Sequence, residues 1–337
     1  MTLRFFSIFF FLTVVYQCKK DVSSVANISS SNNLLNTKFE LLDSTQTHIP
    51  FINKVTSQEN FNVLTYRNYY NGGGVAIGDI NNDGLNDIYF TANMSGNKLY
   101  LNKGHFQFED ITEKAGVKGT HYWSTGVTMA DVNADGYLDI YVCNSGDLEG
   151  KNRENELFIN NGDLTFTESA KDYGLNDNGY STHASFFDYD LDGDLDCYIL
   201  NNSYKDPERI QLYSRERFKY GAPGGDRLFR NDGPSADHQT VKFTDVTKAS
   251  GIYSSDIDFG LGISVGDVNG DHYPDMYISN DFWERDYLYL NQKDGTFKDV
   301  LTDHVSYVSG SSMGSDIGDL NNDGCDQISL EGKVSQA

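Results

Sequence analysis

Residues 79–87 read Asp-Ile-Asn-Asn-Asp-Gly-Leu-Asn-Asp, and close relatives of this string begin at Asp131 (DVNADGYLD), Asp188 (DYDLDGDLD), Asp267 (DVNGDHYPD) and Asp319 (DLNNDGCDQ). The five starts lie 52, 57, 79 and 52 residues apart. Self-similarity at this period marks stacked supersecondary units, such as propeller blades, each carrying the same loop. The spacing of oxygen-bearing residues within each loop is that of a calcium site. Calcium takes six to eight oxygens from carboxylates, amide and backbone carbonyls and water, and a tight loop offers them at places 1, 3, 5, 7 and 9.

The candidate ligands are Asp79, Asn81, Asp83, the Leu85 carbonyl and Asp87 in the first loop, and Asp131, Asn133, Asp135, the Tyr137 carbonyl and Asp139 in the second. The third offers Asp188, Asp190, Asp192, Asp194 and Asp196, and the fourth Asp267, Asn269, Asp271, the Tyr273 carbonyl and Asp275. The fifth keeps Asp319, Asn321 and Asp323 but has Gln327 in the ninth place. Gly84, Gly136 and Gly193 hold the sixth place, where a sharp turn favours a residue without Cβ. His272 stands there in the fourth loop and is tolerated at positive φ, with weaker binding expected.

An EF-hand would need a bidentate Glu in the twelfth place and flanking helices. Instead that place holds Phe90, Val142, Ile199 and Ile278, and the flanks alternate and are rich in β-branched and aromatic residues, so each loop joins two strands. Zinc is excluded by the lack of His and Cys ligands in the loops, and magnesium suits an all-protein cage poorly. Solvated Asp/Asn turns without an ion are the plain alternative. Five spaced copies of the pattern, four of them complete, argue against it.

Two further strings follow each loop. One is Lys98-Leu99-Tyr100-Leu101-Asn102, with counterparts ending at Asn160, Asn231 and Asn291; the other is Phe108-Glu109-Asp110-Ile111-Thr112, with counterparts starting at Phe166, Phe243 and Phe297. Strand, loop, strand, strand, turn, strand predicts an all-β chain, a β-propeller of four-stranded antiparallel blades. The repeats are placed around 72–120, 121–178, 179–255 and 256–308, with a partial one over 309–337.

At Phe259-Gly260-Leu261-Gly262-Ile263-Ser264-Val265-Gly266-Asp267 the chain resembles an FG-GAP repeat, the unit of the integrin α-subunit N-terminal propeller. The whole unit is similar to VCBS/FG-GAP repeat proteins, especially the repeat region found with ASPIC/UnbV domains and in cartilage acidic protein relatives. The resemblance runs from about Phe39 to Gly324 and implies a calcium-stabilised propeller; it implies no reaction. Propellers of this kind are expected to have about seven blades. The four full repeats and broken fifth therefore read as an incomplete propeller, with no apolar strand expected after Gly324. Phe39-Glu40-Leu41-Leu42-Asp43-Ser44-Thr45 reads as the outer strand of a last blade.

The net charge of −23 and the pI near 4.5 argue against nucleic-acid binding and fit loops that take up cations. Loops in extracellular modules bind calcium at about 10⁻⁴–10⁻³ M, which makes them structural clips. The apolar run from Phe5 to Tyr16 follows Arg4 and is too short to span a membrane. With Val15-Tyr16-Gln17-Cys18 it resembles a bacterial lipoprotein signal over 1–17, with Cys18 as the lipidated residue and a flexible tether over 18–37. Gln17 departs from the small residue usual before that Cys. An exported protein on the cell envelope or outer membrane is expected, touching membrane only through the lipid.

Cys143, Cys197 and Cys325 form no evident disulfide framework and read as buried thiols. Gly310-Ser311-Ser312-Met313-Gly314 matches a nucleophile elbow, but it leads into a metal loop where that motif needs a helix. No catalytic constellation stands out. A basic and aromatic insertion over 201–225, with Arg209, Arg215, Arg217 and Tyr220, reads either as a ligand-contacting loop or as a flap packed on neighbouring blades. The reading is a non-catalytic envelope module that binds protein or glycan. The alternatives are a propeller-fold carbohydrate-active enzyme and a structural part of a larger envelope protein.

Overall fold

A computed structural model describes residues 39–121, 123–146, 152–203, 217–234, 241–282, 284–306, 308–322 and 326–332. The chain divides into two units, Met1–Asp43 and Ser44–Ala337. In the first, residues 39–43 carry no regular structure. In the second, the described residues form four four-stranded antiparallel sheets and one two-stranded sheet.

The first sheet joins β1 (Val75–Gly78), β2 (Asp87–Phe90), β3 (Lys98–Asn102) and β4 (Phe108–Asp110). The second joins β5 (Ser124–Ala130), β6 (Asp139–Asn144), β7 (Glu156–Asn160) and β8 (Phe166–Glu168). The third has β9 (Ser181–Phe187), β10 (Asp196–Asn201), β11 (Arg227–Pro234) and β12 (Val241–Asp245). The fourth has β13 (Gly260–Gly266), β14 (Asp275–Asn280), β15 (Tyr287–Asn291) and β16 (Phe297–Asp299). In the last, β17 (Ser312–Gly318) pairs with β18 (Gln327–Gly332).

Strand order follows chain order within every sheet, and the first strands β1, β5, β9, β13 and β17 pack side by side. Residues from β5, β9, β13 and β17, with the glycines just ahead of β1, line one cavity. Meandering sheets stacked face to face with inner strands on a shared centre are propeller blades. The second strand of a blade lies between two neighbours, so every residue of β6, β10 and β14 is buried. That is why Ile140-Tyr141-Val142-Cys143 is a continuous apolar run without alternation.

The core therefore lies between blades. Tyr89, Leu99 and Leu101 meet Val127, Ile140, Val142 and Phe158, and the next interface sets Tyr141, Cys143 and Leu157 against Cys197, Ile199 and Phe229. Cys143 and Cys197 are buried free thiols. Inner strands approach so closely that a Cβ on Gly126 would stand 2.5 Å from the Thr182 carbonyl oxygen. The segment ahead of β1 packs through aromatics: Phe51 stacks on Phe90 at 4.8 Å, and Phe61, Tyr66, Tyr69 and Trp123 form a cluster.

Buried tyrosines in the second strands need partners for their hydroxyls. The Tyr89 and Tyr141 hydroxyls donate to the carbonyls of Val117 and Leu175, at 2.6 and 2.7 Å. In the later blades a carboxylate replaces the amide that starts the third-strand string, and the tyrosine turns to it: Tyr198 donates to Asp226 and Tyr277 to Asp286, both at 2.7 Å. The same residues, Asn97, Asn155, Asp226 and Asp286, accept a backbone N–H from the end of the second strand.

Two expectations are corrected. Phe39–Thr45 makes no strand, and Ser44–Thr47 is a short helical turn (α1) with the His48 amide bonded to the Ser44 carbonyl at 2.8 Å. A blade's outer strand needs a third strand beside it, and the fifth sheet has two among the described residues. Conversely, a strand does follow the fifth loop: β18 pairs with β17, and Ile328 packs against the cluster of Tyr277 and Leu288. Gln-Ile-Ser-Leu alternates as a strand with one covered face does, rather than forming the doubly buried run of the other blades.

The asparagine that ends the third strand also joins blades. The Asn160 amide donates to the Ile80 carbonyl of the preceding blade at 2.8 Å and to Leu138 at 3.1 Å, and Asn291 donates to Tyr189 at 2.7 Å. Asn102 reaches only Asn86 of its own blade, at 2.8 Å. Asn160→Ala strands the buried Ile80 carbonyl and should cost about 2–3 kcal/mol in urea denaturation, against about 1 kcal/mol for Asn102→Ala. Equal costs would show that the link between blades contributes nothing.

Candidate metal centres

Each loop leaves the first strand of a blade at an Asp and enters the second at another. The first Asp is wrapped by the loop's own amides: Asp79 accepts from Asp83 at 3.1 Å and Gly84 at 2.7 Å. Asp131 accepts from Asp135 and Gly136 at 3.0 and 2.8 Å, and Asp188 from Asp192 and Gly193 at 3.1 and 3.0 Å. In the fourth loop Asp267 accepts from Gly270, Asp271 and His272, the last at 2.7 Å. The fifth-place carboxylates Asp83, Asp135, Asp192 and Asp271 accept the amide two residues on. These bonds hold the places 1, 3 and 5 in one tight turn.

The turn passes twice through the left-handed region. Its sixth place does so as expected, with φ of 84° at Gly84 and 70° at His272. The fourth place does so too, at Asn82, Ala134, Leu191, Gly270 and Asn322. Ala134 and Leu191 carry no signal of this in their side chains, so the sequence did not reveal it.

The ninth-place Asp does more than face the loop. Asp87 is buried, and its two oxygens accept the amides of Ile80 at 3.0 Å and Asn102 at 2.7 Å. Asp139 does the same with Val132 and Asn160, Asp196 with Tyr189 and Asn231, and Asp275 with Val268 and Asn291, all between 2.8 and 3.1 Å. One carboxylate thus ties the loop to the end of the third strand. In the fifth loop the Gln327 side-chain oxygen accepts the Leu320 amide at 2.8 Å, so the amide keeps half of that joint. Asp319 and Asn321 belong to the described residues, while Asp323 lies outside them.

The third loop has the strongest demand for a cation. Oxygens of Asp188, Asp190 and Asp196 lie within 4.8 Å of one another. In the first two loops the third-place Asn81 and Asn133 donate an amide to Asp83 and Asp135, at 3.0 and 2.9 Å. Asp190 has no such donor, and one oxygen each of Asp190 and Asp194 is buried without a partner. Burial and then the neighbouring Asp192 raise both carboxyls, Asp194 to about 6. Orphaned buried oxygens around like charges are the donor set a divalent cation satisfies. In the fourth loop Lys293 stands 3.3 Å from Asp271 and supplies part of that charge from the protein itself.

Burial outweighs the two amide bonds at the ninth place and pushes the carboxyls up, to about 7 for Asp139 and Asp196 and about 6 for Asp275. A folded-state value raised above the unfolded value of about 3.9 stabilises the protonated folded form. That stability is complete below about pH 4 and lost as pH rises through about 6–7. With chelator present, the melting midpoint should fall between about pH 4.5 and 7.5; a midpoint that rises over this range would contradict it.

The other singled-out residues fall elsewhere. Arg217 forms a bidentate contact through Nε and a terminal nitrogen with one oxygen of the buried Glu284, at 3.1 and 2.6 Å, and Tyr220 donates to the Ile252 carbonyl at 3.2 Å. This end of the insertion packs on the fourth blade. Arg209 and Arg215, like Cys18, Cys325 and residues 1–38, lie outside the described residues. Ser312 is no nucleophile elbow: it starts the strand β17, is buried, and donates to Asp286 at 2.6 Å.

A family profile described as an FG-GAP-like repeat matches residues 79–142, 144–199 and 267–328, over half of the chain. The chain belongs to this FG-GAP-like repeat family. It is similar to cartilage acidic protein 1 of Xenopus tropicalis, 27% identical over 214 residues that cover 63% of this chain and 29% of that protein. Integrin alpha-8 of Gallus gallus is 29% identical over 167 residues, 45% of this chain and 16% of the integrin. The chain spans less than a third of the length of these curated relatives. A solved structure concerned with recognition of non-reducing terminal N-acetylglucosamine by an Agrocybe aegerita lectin superposes with a TM-score of 0.41 at 20% identity, over 75% of this chain and 59% of that one.

Proposed function

We propose that this chain is a calcium-stabilised, non-catalytic interaction module of the cell envelope, exported by the signal over 1–17 and held by lipid on Cys18, that binds protein or glycan. Its calcium is structural. The observation that carries this reading is the third loop, where Asp188, Asp190 and Asp196 converge while oxygens of Asp190 and Asp194 are buried without partners. Asp79, Asn81 and Asp83, with the Leu85 carbonyl, would hold an ion in the first loop, and the matching residues would do so in the second and fourth. Asp87, Asp139 and Asp275 would contribute through the lone pairs their amide bonds leave over. The bound ion neutralises carboxylates that otherwise repel one another at the junction of two strands. Family membership and similarity to cartilage acidic protein 1 and integrin alpha-8 support the interaction role.

An ion that binds the folded loop at about 10⁻⁴ M adds about 1.4 kcal/mol per loop at about 1 mM calcium. Melting in calcium and in EGTA should therefore give well-separated midpoints, and coincident midpoints would remove the reading. Asp190→Asn sharpens the test because its two effects have opposite sign. In EGTA it removes repulsion and restores the amide donor found at Asn81, so the midpoint rises. In calcium it deletes a charged ligand, so the gain from the ion shrinks.

A further inference from the structure

The inner strands and the segment just ahead of β1 enclose a cavity of about 730 Å³ that neither the loops nor the blade packing uses. This size is in the range of small-molecule sites. Its wall is concave and its floor is mostly peptide backbone, because Gly74 just ahead of β1 and Gly126, Gly262 and Gly314 of β5, β13 and β17 lie there. Four polar side chains on the wall stand ready for an outside partner. Among the described residues, the amides of Asn68 and Asn71 and the imidazole of His183 have no side-chain hydrogen bond, and the Asp281 carboxylate accepts only the amide of its neighbour Phe282, at 2.8 Å.

Beside them Phe282 is held in the left-handed region at φ 60°, with the Arg67 guanidinium 4.6 Å from its ring centroid. A bulky residue at positive φ costs about 1–3 kcal/mol and persists where the surroundings fix it, commonly at ligand clamps. The wall thus combines amides that both donate and accept, a carboxylate that accepts two hydroxyls, and the apolar faces of Phe282, Leu261 and Ile263.

We propose that this cavity is a binding site for a neutral, polyhydroxylated ligand, a saccharide unit. Neutrality follows from the wall itself, where Arg67 offsets Asp281 and burial favours the uncharged His183 imidazole. The proposed role is binding without turnover. Glycoside hydrolysis takes a pair of carboxylates, and Asp281 is the single carboxylate among the described lining residues. The inference rests on the interaction-module reading and gives it a place and a ligand class.

The test is a glycan array probed with the full chain in calcium, followed by titration calorimetry with the strongest saccharide. Asp281→Ala and Asn71→Ala should each weaken that saccharide by about tenfold, the loss of one good polar contact. The melting midpoint should stay unchanged in Asn71→Ala, whose side chain has no hydrogen bond among the described residues, and fall only slightly in Asp281→Ala, which loses the bond to the Phe282 amide. The Arg209→Ala/Arg215→Ala pair should bind as the parent does. An array with no binding overturns the saccharide assignment; calcium-dependent capture of a protein would then leave the interaction-module reading standing alone. Binding that survives both cavity substitutions, or that the arginine pair abolishes, places the ligand elsewhere and overturns the cavity.

Discussion

A buried carboxylate that accepts one backbone amide from its own loop and one from the third strand is the joint on which each full blade is built. At Asp87, Asp139, Asp196 and Asp275 one oxygen holds the second residue of the loop and the other holds the asparagine Asn102, Asn160, Asn231 or Asn291 of the third strand. The joint closes the loop, fixes the register of the second and third strands, and positions the third-strand asparagine, whose amide in the second and fourth blades reaches across to the blade before. Asn160 and Asn291 extend the chain of bonds to Ile80 and Tyr189. A loop that looks local is therefore coupled to the packing of neighbouring blades.

The joint carries an electrostatic cost. A carboxylate taken out of water beside two or three others favours its protonated form unless a cation is near. The fourth loop meets this partly with Lys293, and the first two with asparagines that donate to their neighbours. The third loop, with five aspartates in nine residues, has neither device among its own side chains. This gradation from self-satisfied to cation-dependent loops gives the proposed calcium a structural role: it completes turns whose backbone is already drawn.

Much of this was legible in the residues. Five Asp-x-Asn/Asp-x-Asp strings in register, with β-branched flanks, place the loops and the strands around them because period and alternation are local properties. What escaped notice depends on partners far along the chain. Arg217 reads equally as part of a ligand-contacting loop or of a packed flap, and its partner Glu284 stands 67 residues away. Phe39–Thr45 matches an outer strand in composition, but a strand needs a neighbour. Gln327 reads as a broken site, yet its side-chain oxygen still accepts a hydrogen bond from the Leu320 amide, and β18 forms. The left-handed turns at Ala134 and Leu191 are imposed by the loop and carry no mark in residue type. The cavity wall draws Asn68 and Asn71 from the segment ahead of β1, His183 from β9 and Asp281 from the fourth blade, each unexceptional where it stands.

The most direct measurement is the number of calcium ions bound per chain, by equilibrium dialysis with elemental analysis, for the parent and for Asp188→Asn/Asp190→Asn. One ion per loop that retains its ninth-place Asp, with one fewer in the double variant, is the predicted result. A parent chain that binds no calcium at about 1 mM, the concentration at which extracellular modules fill, would contradict the account.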